Sequence, residues 1–288
     1  MLNWVTDQTK SNKALKFLKE GIAQKYTITV RSEIQMGTMY SKTVTECRWA
    51  LNVLDITDGG YELELLTLDN VMLETNNPSL KDIATMNNVF GQMYNELRFT
   101  VNRKGELLQV KNIEQLRKRW KHVRTELYEI QGRFTSIEEV LKLNDEVFAN
   151  EKQLFDVIKA TEFFELYFNG IYGKVLPSTE YITKKSRFQL ADVKWMYVYT
   201  QKIPLQDAED IFIVDIDATP AQQFSKDWIE KAYGSYPFLQ PVGVDNLKPI
   251  LKASGIYFFD VATGLLKEAE FKTEETAHPG LLYTKLTY

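Results

Sequence analysis

Cysteine and histidine are scarce in this chain. Its 288 residues include one cysteine, Cys47, and two histidines, His122 and His278. A single cysteine excludes an internal disulfide framework and any zinc or iron–sulfur site with four thiolate ligands. It is typical of a reducing compartment, but a chain of this length can also bury a large core without disulfides.

Catalytic motifs are missing as well. The sequence has no Gly-x-Ser-x-Gly elbow, no Gly-x-x-x-x-Gly-Lys phosphate loop and no Gly-x-Gly-x-x-Gly motif. His122 lies in a basic helical segment and His278 lies in a turn, so neither is placed beside a nucleophile that it could activate. We therefore predict a protein that is not an enzyme and that carries no cofactor and no metal.

Strong net charge and long apolar runs are also absent. The 35 basic and 39 acidic residues give a net charge of −4, which argues against a nucleic-acid partner. No stretch reaches the roughly 18 apolar residues of a membrane span or the roughly 7–15 of a secretory signal. We expect no transmembrane segment and a cytoplasmic location, or a periplasmic one if a signal peptide has been removed.

Alternating apolar and polar residues dominate what is present. From Tyr26 onward they predict about eleven strands. Glycine-containing turns at residues 58–60, 102–105 and 261–264 join neighbouring strands, and such short turns favour an antiparallel sheet.

Helical spacing marks the middle of the chain. Apolar residues recur every three or four positions over residues 113–130, and a capping box of Ser136 and Glu139 starts a second helix that could run to about Phe168. Thr219 and Pro220 predict the start of a later helix that ends at Gly234. These helices need an apolar surface to cover, and the sheet offers one.

These patterns predict an α+β fold in which a curved antiparallel sheet, a half-barrel, wraps around helices. No linker rich in glycine, serine or proline divides the chain. We therefore expect a short N-terminal helical or extended segment, 1–25, and a single domain, 26–288, with a helical insertion at 113–169.

Aromatic residues are the candidates for ligand binding. Trp195, Tyr197 and Tyr199 alternate along one predicted strand and so project from one face, while Phe163 and Tyr167 lie near the end of the long helix. Lining a concave sheet, these rings could hold an apolar ligand or a hydrophobic segment of a partner. The alternative is that they fill the space between sheet and helices.

A basic cluster and a pair of carboxylates are two further candidates. The basic cluster consists of Arg117, Lys118, Arg119, Lys121 and Arg124. It predicts an anionic partner or, alternatively, a solvated helix face. Asp215 and Asp217 share one face of a predicted strand and could help to hold a divalent cation, or could be a solvated strand end.

Two short segments carry a resemblance to a known family. The segment Leu18-Lys19-Glu20-Gly21 followed by Tyr26-Thr27-Ile28, and the hairpin Phe258-Phe259-Asp260 followed by Thr263-Gly264-Leu265, resemble the LolA/LolB-like lipoprotein carriers. The resemblance implies an incomplete antiparallel barrel closed by helices, with a hydrophobic concavity that carries a lipid or lipoprotein. The helical insertion is longer than expected for such carriers and could fill the concavity.

Taken together, the sequence favours a non-enzymatic binding protein, such as a carrier, chaperone, adaptor or immunity-type partner. Its partner would be a protein or a lipid or lipoprotein-like apolar ligand. Two alternatives stay open: a structural component of a larger bacterial assembly such as a secretion apparatus, joined through exposed strand edges, and a metal-dependent hydrolase or transferase using Asp215 and Asp217.

Overall fold

The computed structural model describes residues 14–129, 137–188, 191–202 and 210–288. They form an α+β fold in which eleven strands make one antiparallel sheet, as the alternation predicts. The strands are β1 (Ile22–Met36), β2 (Met39–Thr57), β3 (Gly60–Thr75), β4 (Glu96–Asn102), β5 (Leu107–Val110), β6 (Ser178–Lys185), β7 (Asp192–Lys202), β8 (Ile211–Pro220), β9 (Ile250–Asp260), β10 (Leu266–His278) and β11 (Leu282–Thr287).

The sheet has the order β5-β4-β3-β2-β1-β11-β10-β9-β8-β7-β6. Every neighbouring pair is consecutive in sequence except β1 and β11, which pair from Arg31 with Thr287 to Met36 with Leu282. The first and last strands therefore join two meanders into one sheet. The sheet does not close, and β5 and β6 are its two edges.

The α-helices are α1 (Ser79–Gly91), α2 (Ile113–Glu129), α3 (Ile137–Ala149), α4 (Glu151–Lys159) and α5 (Lys226–Tyr233). Three of them, α2 to α4, lie in sequence between the edge strands β5 and β6. Among the helices that the structure describes, none combines the length and the apolar character needed to cross a bilayer.

The prediction of one long helix up to Phe168 is wrong. Asn150 separates α3 from α4 because its side chain accepts hydrogen bonds from the backbone N–H groups of Lys152 and Gln153, at 3.0 and 3.2 Å. Such an N-cap starts a new helix instead of continuing the old one. After α4, a separate π-helical turn covers Phe164–Phe168. The predicted capping residue Ser136 lies outside the described residues.

The prediction that Thr219 and Pro220 open a helix is also wrong. Both residues belong to β8, where Thr219 pairs with Met196 and Pro220 with Trp195 of β7. Pairing with β7 holds these residues in a strand, although their local sequence favours the start of a helix. The helix α5 starts six residues later, with Ser225 as its N-cap, and ends before Gly234 as predicted.

One aromatic segment packs against strands from both halves of the sheet. This core segment, residues 163–173, contains the π-helical turn and the loop after it. The Phe163 ring lies 5.4 Å from Trp49 of β2 and 6.0 Å from Phe99 of β4. The Tyr172 ring lies 5.7 Å from Phe259 of β9. Edge-to-face rings at these distances add to the stabilisation from burial.

The residues just before β1 complete this core. Phe17 is 1% exposed, and its ring lies 4.8 Å from both Tyr61 and Tyr172. Backbone hydrogen bonds hold the segment in place: the Gly173 N–H donates to Leu15 at 2.8 Å, and the Leu18 N–H donates to Thr263 at 2.9 Å. Residues 14–18 therefore link the core segment to the β9–β10 turn.

A second, smaller core lies under α5. Tyr233 and Leu282 are fully buried there. A buried charged residue beside it, Glu275, accepts hydrogen bonds from the Tyr233 hydroxyl at 2.9 Å and from the Arg187 N–H at 2.5 Å. Burial raises the pKa of Glu275 above its usual value. The two bonds satisfy a carboxyl group that would otherwise be costly to bury.

We expect Phe17→Ala to lower the free energy of unfolding by about 3–5 kcal/mol, because it removes a buried ring from the aromatic core. The control is Leu18→Ala next to it, which truncates a side chain that is 50% exposed and should change stability by less than about 0.5 kcal/mol. Urea denaturation measures both values. Equal effects of the two substitutions would contradict a structural role for residues 14–18.

Candidate ligand-binding site

A cavity lies between the two edge strands of the sheet. This edge cavity has a volume of about 680 Å³. Leu107 lines it from β5, Ile182 from β6, Tyr199 from β7, and Phe164 and Phe168 from the core segment. Strands from the two ends of the sheet and the core segment thus meet around one space.

A second cavity of about 510 Å³ adjoins the first. This adjoining cavity shares Ala160, Glu165 and Lys184 with the edge cavity and extends to Trp195 and Tyr197 of β7. The strand β7 therefore presents successive inward rings to both cavities. The Tyr197 and Tyr199 rings are stacked, with 6.1 Å between their centroids.

An ion pair lies where the two cavities meet. The Lys184 ammonium donates to Glu165 Oε1 at 3.0 Å, and an Arg187 nitrogen lies 4.0 Å from the same oxygen. Burial raises the pKa of Glu165, but Lys184 and Arg187 outweigh burial, so that pKa lies below its usual value. Burial lowers the pKa of Lys184, whereas Tyr197 and Glu165 raise it, and the net shift is upward. Both groups are therefore held in their charged forms.

A second lysine lies deeper in the edge cavity. The Lys174 side chain is 10% exposed, its ammonium lies 2.6 Å from Glu180 Oε2, and it sits 3.7 Å from the centre of the Tyr199 ring. Burial lowers the pKa of Lys174 in spite of the attraction of Glu180. The ammonium is thus a buried cation that its single carboxylate does not fully compensate.

Two buried polar atoms beside the edge cavity lack a well-aligned hydrogen bond. Within the described part of the chain, the Tyr199 hydroxyl has no hydrogen-bond partner, and Lys174 Nζ has only its ion pair with Glu180. Buried polar atoms are nearly always satisfied, by protein, water or ligand. These two atoms therefore indicate where a ligand oxygen could bind.

Glycine at position 170 keeps the space above these two atoms open. Gly170 has a φ of +66°, and a Cβ there would lie 2.8 Å from the Tyr199 hydroxyl and 3.6 Å from Lys174 Nζ. A side chain would therefore strain the backbone and also collide with the tyrosine. The preceding residue, Asn169, is left-handed as well and donates to the Tyr257 hydroxyl at 2.8 Å.

The structure brings only some of the five predicted aromatic residues to these cavities. Tyr199 lines the edge cavity, and Trp195 and Tyr197 line the adjoining one. Phe163 and Tyr167 are each 2% exposed and pack within the aromatic core, as the alternative interpretation expects. Ligand binding by the three β7 residues stays a prediction.

Sequence reasoning missed the charged residues of the site. The inward face of β6 carries Ser178, Glu180, Ile182 and Lys184, and its outward residues are exposed. The sequence signal that could have identified them is the presence of charged residues at inward positions of a predicted strand. The competing explanation is that inward charges on an edge strand discourage pairing with other chains.

Carboxylates neutralise much of the predicted basic cluster. Arg117 pairs with Glu114, Arg119 with Glu96 and Arg124 with Asp145, at N–O distances of 2.5, 2.6 and 2.9 Å. Lys118 and Lys121 are exposed on the same helix, α2. The three pairs fit the interpretation of a solvated helix face, and an anionic partner stays a prediction.

The candidates for catalysis and metal binding lie apart. Asp215 pairs with Lys202 at 2.8 Å, and Asp217 is exposed. His122 lies 3.2 Å from Glu126 on the surface, and His278 Nδ1 accepts a bond from the Gly280 N–H. Over the described ranges, no three histidine, cysteine or acidic side chains are grouped as a metal site requires. Burial raises the pKa of Cys47 to about 11.

No protein-family model matches the sequence, and no curated protein matches it.

We expect Glu165→Gln to lower the free energy of unfolding at pH 7 by about 1–2 kcal/mol, because it leaves Lys184 without its carboxylate in a partly buried site. The pKa of Glu165 is depressed, so its contribution is present above the unfolded pKa of about 4.3 and is lost as the pH falls through the lower folded value. The variant should therefore show a weaker loss of stability below about pH 5 than the wild type.

Urea denaturation at several pH values between 3 and 7 measures both effects. The control is Glu114→Gln, because the Glu114 side chain is 79% exposed; this variant should follow the wild-type pH profile. An unchanged profile for Glu165→Gln would show that the ion pair does not stabilise the site.

Proposed function

We propose that the chain is a non-enzymatic binding protein whose sheet curls into a half-barrel around the core segment. Its ligand is a small molecule with an apolar body and an anionic group, held in the edge cavity. The observation that carries the proposal is the Tyr199 hydroxyl, which has no hydrogen-bond partner among the described residues, next to the buried Lys174 ammonium at an aromatic cavity.

The positions of the edge strands support the curled sheet. Eleven strands have ten spacings, so β5 and β6 would lie about 48 Å apart in a flat sheet. Leu107 of β5 and Ile182 of β6 nevertheless line one cavity of about 680 Å³. The core segment likewise contacts Phe99 of β4 and Phe259 of β9, six spacings apart in the sheet order.

The charges around the edge cavity support an anionic group on the ligand. Four lysines and three glutamates line it, an excess of one positive charge: Lys104, Lys159, Lys174 and Lys184 against Glu106, Glu165 and Glu180. A ligand oxyanion near Gly170 would accept bonds from both Lys174 and Tyr199. Charge-assisted bonds of this kind are roughly twice as strong as neutral ones.

The remaining lining supports an apolar body. Leu107, Phe164, Phe168, Val175 and Ile182 contribute apolar surface to the edge cavity. Its volume lies in the range of about 300–1,000 Å³ that is usual for small-ligand sites. A fatty acid or another acidic lipid has this combination of chemistry, which agrees with the lipid cargo implied by the resemblance to lipoprotein carriers.

We expect the chain to bind dodecanoate and to bind its methyl ester at least about 10-fold more weakly, because one lost charge-assisted hydrogen bond is worth about 1.5–3 kcal/mol. Lys174→Met should weaken dodecanoate binding by a similar factor. It should not destabilise the fold, because it also removes a poorly compensated buried charge. Titration calorimetry measures binding, and urea denaturation measures stability.

Lys194→Met is the matched control, since Lys194 of β7 is exposed and lines neither the edge cavity nor the adjoining cavity. It should bind dodecanoate like the wild type. Equal affinity for the acid and its ester would disprove the anionic subsite, and no binding of either compound would disprove the proposed ligand class.

A further inference from the structure

Lys174 carries a primary amine into an aromatic cavity. Its side chain is 10% exposed and belongs to the lining of the edge cavity. The rings of Phe164, Phe168 and Tyr199 belong to the same lining, and the Lys174 ammonium lies 3.7 Å from the centre of the Tyr199 ring. A ligand in the edge cavity would therefore meet this amine in surroundings that hold little water.

These surroundings favour the uncharged amine. Burial lowers the pKa of Lys174, the nearby Lys104 lowers it further, and the attraction of Glu180 only partly opposes them. A lowered pKa raises the fraction of the side chain that is uncharged at a given pH. The uncharged amine is the form that has a lone pair for nucleophilic attack, and lysines that form Schiff bases are activated by burial or by a neighbouring cation.

A carboxylate and a hydroxyl group flank the amine. Glu180 Oε2 lies 2.6 Å from Lys174 Nζ, close enough to take a proton from it. Lys174 Nζ and the Tyr199 hydroxyl both lie within 3.6 Å of the position that a Cβ of Gly170 would take. The Tyr199 hydroxyl has no hydrogen-bond partner among the described residues, so it can donate to an oxygen placed there. An amine, a proton acceptor and a hydroxyl donor are the groups that imine formation uses.

We propose that the Lys174 amine captures an aliphatic aldehyde in the edge cavity as a Schiff base. The apolar lining holds the alkyl chain, and the carbonyl group lies beside Gly170, between Nζ and the Tyr199 hydroxyl. This aldehyde site rests on the edge cavity as the ligand site of the proposed function, but it needs no anionic group on the ligand.

The reaction conserves charge and needs no oxidant or reductant. Glu180 takes a proton from the ammonium, and the freed lone pair of Nζ forms a bond to the carbonyl carbon as the C=O π electrons move to oxygen. Tyr199 donates a hydrogen bond to that oxygen, which receives the proton from Glu180. Glu180 then moves a second proton from the nitrogen to the new hydroxyl group, which leaves as water while the nitrogen lone pair forms the C=N bond. The iminium product keeps its positive charge beside Glu180.

Lys184 lines the same cavity but is a poorer nucleophile. Its ammonium donates to Glu165 at 3.0 Å, and the net shift of its pKa is upward. Lys184 therefore stays protonated under conditions in which part of Lys174 is uncharged. The two lysines meet the same ligand, so they form a comparison within one site.

Reductive trapping in the full chain tests the aldehyde site. Sodium cyanoborohydride converts an imine formed with dodecanal into a stable secondary amine, and peptide mass spectrometry locates the added dodecyl group. At pH 7 we expect Lys174 to be labelled at least about 10-fold faster than Lys184 and than Lys194, an exposed lysine of β7. Labelling of Lys174 at the same rate as Lys194, or more slowly, would overturn the proposal. All three sites are compared in the wild-type protein, so the result does not depend on the folding of a variant.

Tyr199→Phe tests the hydroxyl group separately. This variant keeps the ring beside Lys174 but cannot donate to the carbonyl oxygen. We expect labelling of Lys174 to slow about 10-fold while labelling of Lys194 stays unchanged. The control is Tyr181→Phe, since Tyr181 of β6 is 72% exposed; it should be labelled like the wild type. Equal labelling of Lys174 in both variants would overturn the role of the Tyr199 hydroxyl.

The aldehyde site and the anionic ligand fail under different results. Preferential labelling of Lys174 without binding of dodecanoate would disprove the anionic ligand and support the aldehyde site. Binding of dodecanoate without preferential labelling of Lys174 would overturn the aldehyde site and leave the proposed function in place.

Discussion

Contact between the rings of the core segment and rings on distant strands is the interaction on which the other features depend. Phe163 meets β2 and β4, and Tyr172 meets β9, within ten residues of chain. Burial of these aromatic rings makes the largest favourable contribution to the free energy of folding. In the proposed half-barrel, the sheet supplies that burial from both sides by bending around the segment, and bending brings the edges β5 and β6 towards each other.

The candidate binding site lies where this arrangement stops short of closure. The edge cavity lies between β5 and β6, where the core segment and not a strand fills the gap, and charged residues such as Lys174 and Lys184 enter the lining there. Polar side chains there border an aromatic interior, which is the combination that binding sites use.

Local patterns predicted the strands well and their long-range partners poorly. Alternation located the eleven strands, and glycine turns such as 58–60 located the hairpins. The pairing of β1 with β11 depends on residues more than 240 positions apart, which no local pattern encodes. Thr219 and Pro220 carried a helix signal that pairing with β7 overrode, and Asn150 divided the predicted long helix by capping α4. Tyr199 was predicted as a site residue from its alternation, but its neighbour Lys174 was not, because only the folded chain brings it over that ring.

The distance between the edge strands tests the curled sheet most directly. Leu108 of β5 and Tyr181 of β6 are 55% and 72% exposed, so cysteines at these positions, in a chain carrying Cys47→Ala, can take spin labels without disturbing the core. Pulsed electron spin resonance should then give a distance below about 30 Å, equivalent to about six strand spacings or fewer. A distance near the roughly 48 Å of a flat eleven-stranded sheet would contradict the curl and the edge cavity with it.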